Sequence, residues 1–391
     1  MKATLPALQI CGLRLFCLAL GVVTSATAAD VEPPEQVRHV VVSKEDGRFA
    51  GWPANHGIWS WKNEILVGFS RGTYKDRGPF HHIDHDKPEE HLLARSQDGG
   101  LTWAVETPNP PGALADTPGM RHGTMPPGLP EERPVDLREP MDLTHPDFAM
   151  TIRMENINNG MSRYYFSYDR GRSWRGPYRL PLFGQKGVMG RTDYLVNGPN
   201  DCTLFLTASK ADGREGRPFC ARTRDGGLTW RFVSFIGPEP SGYSIMPSTV
   251  RVSATELVTT VRRKDPPKSW IEAYTSHDDG GSWSLSSVPE PDTGEGNPPS
   301  LVTLPDGRLC LTYGVRKRPY GIHARLSTDR GATWENPVVL RDDGGSTDVG
   351  YVRSIVRPDS KVVVVYYYSD RSSPTRYIAA TIWEPRPRLT K

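Results

Sequence analysis

Apolar or alternating runs of strand length recur along this chain, each bounded by turn residues. Cys202–Ser209, Glu256–Arg263, Arg308–Val315 and Lys361–Tyr368 are the clearest. Such runs, with the last rich in β-branched and aromatic residues, predict strands. A repeated turn pattern predicts how they are arranged. Five segments fit S/T-x-D-x-G-x-S/T-W: Ser96–Trp103, Ser167–Trp174, Thr223–Trp230, Ser276–Trp283 and Ser327–Trp334. An Asp with Gly two positions on is turn chemistry, because the carboxylate accepts backbone N–H groups while Gly supplies positive φ. The closing Trp starts the next strand and can bury its ring between sheets. Each copy therefore reads as a hairpin turn. Five equivalent copies cannot all face one site, so their Asp residues staple hairpins and do no chemistry.

Successive Asp residues of the pattern are 71, 56, 53 and 51 positions apart. That spacing suits a four-stranded propeller blade. A sixth unit lacks the pattern: Tyr351–Arg357, Lys361–Tyr368 and Arg376–Trp383 give three strands, and the fourth is expected from Arg38–Val42, which has no blade of its own. Pairing the two would close the ring without an open edge. The expected fold is thus all-β, a six-bladed β-propeller closed by an N-terminal strand. Blade two is the least defined, with only His145–Met154 and Met161–Ser167 placed before its turn.

Residues 1–28 differ in kind. Lys2 and Arg14 precede the apolar run Leu15–Val23, and Ala26-Thr27-Ala28 offers a small-residue cleavage site. This reads as a secretory signal peptide, too short to span a bilayer, followed by a single domain over 29–391. Export to the periplasm or medium is the consequence. Without Lys2 and Arg14, 46 Lys and Arg face 45 Asp and Glu, which points to neither a nucleic-acid nor a membrane-surface partner, and the domain is expected to be a monomer. Cys202, Cys220 and Cys310 remain. A hairpin register of about five positions would hold the first two roughly 17 Å apart, so no disulfide is expected.

Antiparallel connectivity puts the short A–B turns and the repeated turns on one face of the ring. The B–C loops and blade-to-blade crossovers fall on the other, where function concentrates. Both unusual segments map there: the Pro-rich crossover 107–146 and the blade-one loop 71–90. That loop carries His81, His82, Asp84, His85 and Asp86. It could supply a general acid, and a divalent metal at His81, His82 and His85 is an alternative to the main expectation of no cofactor. His56 would face the same mouth. So would Arg191, Arg262, Arg263, Arg316, Arg318 and Arg353, a set suited to a carboxylate- or sulfate-bearing ligand.

Five such repeats, six blades and a leader resemble the bacterial sialidase (neuraminidase) superfamily, whose repeats are called Asp boxes or BNR repeats. The resemblance implies an exo-acting glycoside hydrolase that removes a terminal acidic sugar, sialic acid, from glycans. It implies Tyr351 as nucleophile, Asp84 or Asp86 as acid/base, and Arg262 with Arg316 or Arg318 as carboxylate clamp. In place of the family's first arginine stands Gly51-Trp52-Pro53, with only Arg48 close, and no glutamate occurs in Tyr243–Ser248; Glu272 and Glu295 are the substitutes. Those departures keep two alternatives open. One is a glycosidase or polysaccharide lyase for uronic-acid or sulfated glycans using His56, His81, His82 and His85; the other is a glycan-binding propeller without turnover.

Overall fold

Alternate side chains of the central strands point to opposite neighbours, and this makes a ring. In the computed structural model, which describes residues 1–2, 36–78, 81–129 and 131–387, Leu204 and Leu206 pack toward Met150 and Ile152, while Phe205 packs toward Leu257 and Val261. Val258 turns the other way, to Leu309 and Leu311, and Cys310 onward to Val362 and Val364. Val363 and Val365 then reach Phe49 and Ile65, and Leu66 meets Tyr165. Every adjacent pair of sheets thus shares an apolar core. Both faces of each central strand are buried, which is why the sequence shows continuous apolar runs there.

Six sheets form the propeller. Their central strands are Glu64–Thr73 and Glu90–Ser96 in blade one, Ala149–Met154 and Ser162–Ser167 in blade two, and Asp201–Ser209 and Glu215–Thr223 in blade three. Blade four is built on Leu257–Asp265 and Lys268–Ser276, blade five on Leu309–Val315 and Gly321–Ser327, and blade six on Val362–Tyr368 and Tyr377–Trp383. Val37–Ser43 is the outer strand of blade six, antiparallel to Tyr377–Trp383, with Val37 opposite Trp383. The expected leader, beyond Met1 and Lys2, lies outside the described residues. Among the described residues no helix is long and apolar enough to cross a membrane.

The repeated turns have one geometry. Asp98 Oδ1 accepts the N–H groups of Leu101 and Thr102 at 3.0 and 2.9 Å, and Oδ2 accepts the Thr102 hydroxyl at 2.6 Å. Ser96 Oγ donates to Asp98 at 2.8 Å and takes the Gly100 N–H at 2.7 Å. Asp169, Asp225, Asp278 and Asp329 each accept the N–H and hydroxyl of the Ser or Thr four residues on. Cys202 pairs with Thr223 and Cys220 with Phe205. The two cysteines are therefore offset by three positions, not five; Cys202, Cys220 and Cys310 are free and buried.

Blade two explains its weak sequence signal. It has three strands among the described residues, and the inner one is missing. A single helical turn, Pro53–His56, fills that place: Thr151 donates to His56 O at 2.8 Å and Arg153 to Asn55 O at 3.2 Å. The Pro-rich crossover is spent elsewhere. Ala113 and Leu114 wedge between blades one and two, and Val135 exchanges backbone hydrogen bonds with Pro177 and Arg179 along the outer strand of blade two. Met141 then reaches the turn of blade three, donating to Gly226 O at 2.8 Å.

Candidate active site

Blade six presents Tyr351 through an irregular start. Its inner strand, Gly350–Val356, carries a bulge between Gly350 and Arg353. Gly350 has φ +106° and Tyr351 φ +50°. A left-handed conformation is uncommon for a bulky residue and concentrates at functional sites. It takes the phenol out of the strand's alternation and into a group of guanidinium ions.

Arg262 Nη1 donates to the Tyr351 oxygen at 3.3 Å. The guanidinium carbons of Arg262 and Arg316 lie 6.0 and 5.4 Å from the ring centroid. Burial alone pushes the phenol up, but Arg262, Arg316 and Arg191 together outweigh it and hold its pKa below the ordinary tyrosine value. Arg191 is itself paired with Glu215. Tyr243 completes the group, its ring 5.5 Å from the Arg262 guanidinium carbon.

A second chain of contacts runs from this group to the blade-one loop. Arg316 donates to Tyr367 Oη at 2.6 Å, and Tyr367 donates to Asp348 Oδ1 at 2.6 Å. The same carboxylate oxygen lies 2.8 Å from His81 Nδ1, and Arg376 reaches Oδ2 at 3.3 Å. Burial opposes ionisation of Asp348, yet His81, Arg316 and Arg376 hold it well below the usual carboxylate range. A carboxylate on Nδ1 fixes the His81 tautomer and leaves Nε2 for proton transfer. The His81 ring meets Trp52 edge-on at 5.0 Å, and Trp52 stacks on His122 of the crossover at 4.3 Å.

Behind Trp52 is a buried polar cluster. His56 Nε2 lies 3.2 Å from Ser70 Oγ, His91 Nε2 lies 2.9 Å from Asp116 Oδ2, and Arg153 pairs with Asp116. Burial and Arg153 keep His56 neutral by lowering its pKa well below the ordinary value. Burial beside Asp116 pushes the Glu89 carboxyl up to about 7. Glu89, His91 and Asp116 are the one set of three ligand-type side chains in mutual reach among the described residues. They do not suit a cation: with Arg153 donating to His91 Nδ1 at 3.1 Å, Nε2 carries the hydrogen given to Asp116, and no lone pair is left.

The sequence-predicted residues divide accordingly. Tyr351, Arg191, Arg262 and Arg316 come together. Arg353 does not face the mouth: it is buried on the ring axis, donating to Ala54 O and Thr192 O at 2.8 and 2.7 Å. Arg318 is exposed and lies over Tyr320, and Arg48 is engaged by Glu90. Asp84 and Asp86 turn away because Ile83, fully buried against Gly72, anchors the loop between them and His81. Asp84 caps its own turn through Asp86 N, pairs with Lys75, and its pKa is lowered by those contacts, the wrong direction for an acid. His82 stacks on Tyr74, His85 sits beside Arg77 and His81 binds Asp348, so the three imidazoles do not converge on a metal. His56 is sealed in the buried cluster. Glu272 is held by Arg263 and Tyr274, and Glu295 by Lys264, so neither reaches Tyr351.

Sequence reasoning passed over Glu215, Tyr243, Asp348, His91, Asp116 and Arg153. Asp348, three residues before Tyr351, had a usable signal in its proximity. The others come from separate loops and strands with no spacing to join them.

Known proteins share this architecture. Residues 143–364, more than half the chain, match the BNR repeat-like domain, and the chain belongs to that family. It is thus a six-bladed propeller of the BNR-repeat type. Among solved structures, a Dyadobacter fermentans protein of unknown function is similar at TM-score 0.65 and 21% identity, over 90% of this chain and 99% of that one. The NanB sialidase of Streptococcus pneumoniae aligns at TM-score 0.55 and 12% identity, over 90% of this chain and 71% of NanB. An α-L-arabinanase of Penicillium chrysogenum aligns at TM-score 0.55 and 12% identity, over 88% and 97%. At these identities the likeness is one of fold. No curated protein matches the sequence.

Proposed function

We propose that this chain cleaves the glycosidic bond to a terminal, carboxylate-bearing sugar, sialic acid being the sugar that the sialidase resemblance names. The observation that carries the reading is the Tyr351 phenol set among Arg191, Arg262 and Arg316, its pKa lowered in spite of burial. Arg262 and Arg316 hold the sugar carboxylate. The Tyr351 oxygen attacks the anomeric carbon while the bond to the leaving oxygen breaks, and protonated His81 gives its Nε2 proton to that oxygen. Water, deprotonated by His81, then displaces Tyr351. The leader pattern in residues 1–28 supports action outside the cytoplasm.

One observation favours a second reading. Among the described residues Tyr351 has guanidinium neighbours but no carboxylate hydrogen-bonded to it, since Glu215 is engaged with Arg191. A phenolate beside a clamped carboxylate can instead remove the proton α to that carboxylate, which is the first step of uronic-acid elimination. Incubating the purified chain with α-sialosides and with uronic-acid oligosaccharides separates the two. Free sialic acid, lost in Tyr351→Phe, supports hydrolysis; an unsaturated uronic product supports elimination. Ligand binding without turnover on either set makes the chain a glycan-binding propeller and overturns both.

A further inference from the structure

Asn297 opens the inner face of blade five, is fully buried, and belongs to none of the charged groups above. Its two polar atoms grip one short piece of the neighbouring blade. Nδ2 donates to Val349 O at 2.9 Å, and Oδ1 accepts the N–H of Tyr351 at 2.8 Å. The piece between those contacts is Gly350. We propose that Asn297 is a positioning residue for Tyr351: from the next blade, its carboxamide replaces the ladder hydrogen bonds lost at the bulge and fixes the left-handed turn that presents the phenol to the arginines.

Two glycines are shaped around this side chain. A Cβ on Gly350 would lie 2.2 Å from Asn297 Nδ2, and a Cβ on Gly314, in the adjacent strand of blade five, 2.3 Å from the same atom. A residue with any side chain at either place would expel the carboxamide. Elsewhere the blades are tied more simply. Ser248 Oγ accepts the Leu301 N–H at 2.9 Å, and Ser300 Oγ accepts the Ser354 N–H at 3.0 Å, each side chain making one contact to the backbone of the next blade. Asn297 continues that series to the mouth and adds a donor where the backbone turns. Met246 in blade four has the same left-handed bulge at φ +56°, but no reactive group to aim. The two-sided clamp thus stands at the bulge that carries Tyr351.

The inference rests on the role given to Tyr351, and its test is arranged to fail separately. Tyrosine ionisation is followed by ultraviolet difference titration, with Tyr351→Phe subtracted so that only the Tyr351 phenol is read. In Asn297→Ala the Tyr351 midpoint is expected to move to higher pH as the phenol leaves the arginines, and the limb of the pH–rate profile that depends on it moves by the same amount. Turnover on the substrate identified for the wild type is expected to fall on the order of 10²-fold, the effect of displacing a reacting group by about 1 Å. Asn297→Asp, which keeps the acceptor for Tyr351 N–H but loses the donor to Val349, should fall between; it also serves if the alanine variant does not fold. An unmoved midpoint and pH profile in both variants, with only a lower melting temperature, would overturn the inference. A moved midpoint in a chain whose Tyr351→Phe variant is fully active would keep the clamp and overturn the catalytic role.

Discussion

Removing one turn carboxylate tests the claim that the repeats are staples. In Asp98→Ala, Leu101 N–H, Thr102 N–H, the Thr102 hydroxyl and the Ser96 hydroxyl all lose their acceptor. A net 0.5–1.5 kcal/mol per hydrogen bond, taken at its lower half because Thr102 is exposed to water, gives a loss of about 3 kcal/mol. Asp98→Asn keeps an acceptor oxygen and can donate to the Thr102 hydroxyl, so only about 1 kcal/mol should go. Urea denaturation of the two variants and the wild type at pH 7 measures both. The pH dependence adds a signature. The Asp98 carboxyl is held at about 2, against burial, by Thr102 and Ser96. A depressed carboxylate contributes stability that is complete above its unfolded value near 3.8 and disappears as pH falls through about 2. The gap between Asp98→Ala and the wild type should therefore be flat from neutral pH to about 4 and close below it. Asp98→Ala within about 0.5 kcal/mol of wild type, or Asn as damaging as Ala, would refute the reasoning. Turnover per folded molecule should not change, because the staple is on the face opposite Tyr351.

The site itself gives four more expected outcomes. Arg262→Met should raise KM for an acidic substrate roughly 10- to 100-fold, the worth of a charge-assisted hydrogen bond, while Arg318→Ala should leave KM unchanged because that side chain is exposed. The same Arg262→Met change removes a positive charge beside Tyr351, so the rate limb belonging to the phenolate should shift to higher pH. His81→Gln should lower turnover on the order of 10²-fold or more on natural glycans and far less on substrates with an activated aryl leaving group, which needs no proton. Gly350→Ala sets a side chain at φ +106° against Asn297 and should destabilise the fold by more than about 2 kcal/mol, read as a fall in melting temperature.

Blade architecture was legible because a strand buried on both faces writes its own pattern: Val362–Tyr368 is apolar throughout, and each Asp turn needs its Asp, Gly and Ser or Thr at fixed spacing. The Pro-rich crossover was located, but not its course, since nothing in its composition tells that a helical turn from blade one occupies the inner place of blade two. At the mouth, strand order gave Arg262 among the arginines, and the family resemblance gave Tyr351. Strand order could not choose between Arg316 and Arg318, a choice made by the Val349 carbonyl, which accepts from Arg316 Nε at 3.0 Å. For the acid the resemblance pointed to Asp84 or Asp86; only with Ile83 seen entering the core does the loop turn them aside and make His81 the residue to propose. Glu215, Asn297 and the cluster around Asp116 meet only across blades, where sequence spacing carries no information.

The pairing of Val37–Ser43 with Tyr377–Trp383 also decides how the molecule answers to force. Val37 and Trp383 are partners at the same end of the antiparallel ladder, so tension applied through residues before one and after the other would open the seam one hydrogen bond at a time and would not shear the whole strand at once. A pulling experiment should therefore register a low first rupture that releases the N-terminal strand, with the staples and the mouth intact, followed by stronger events as the blades come apart.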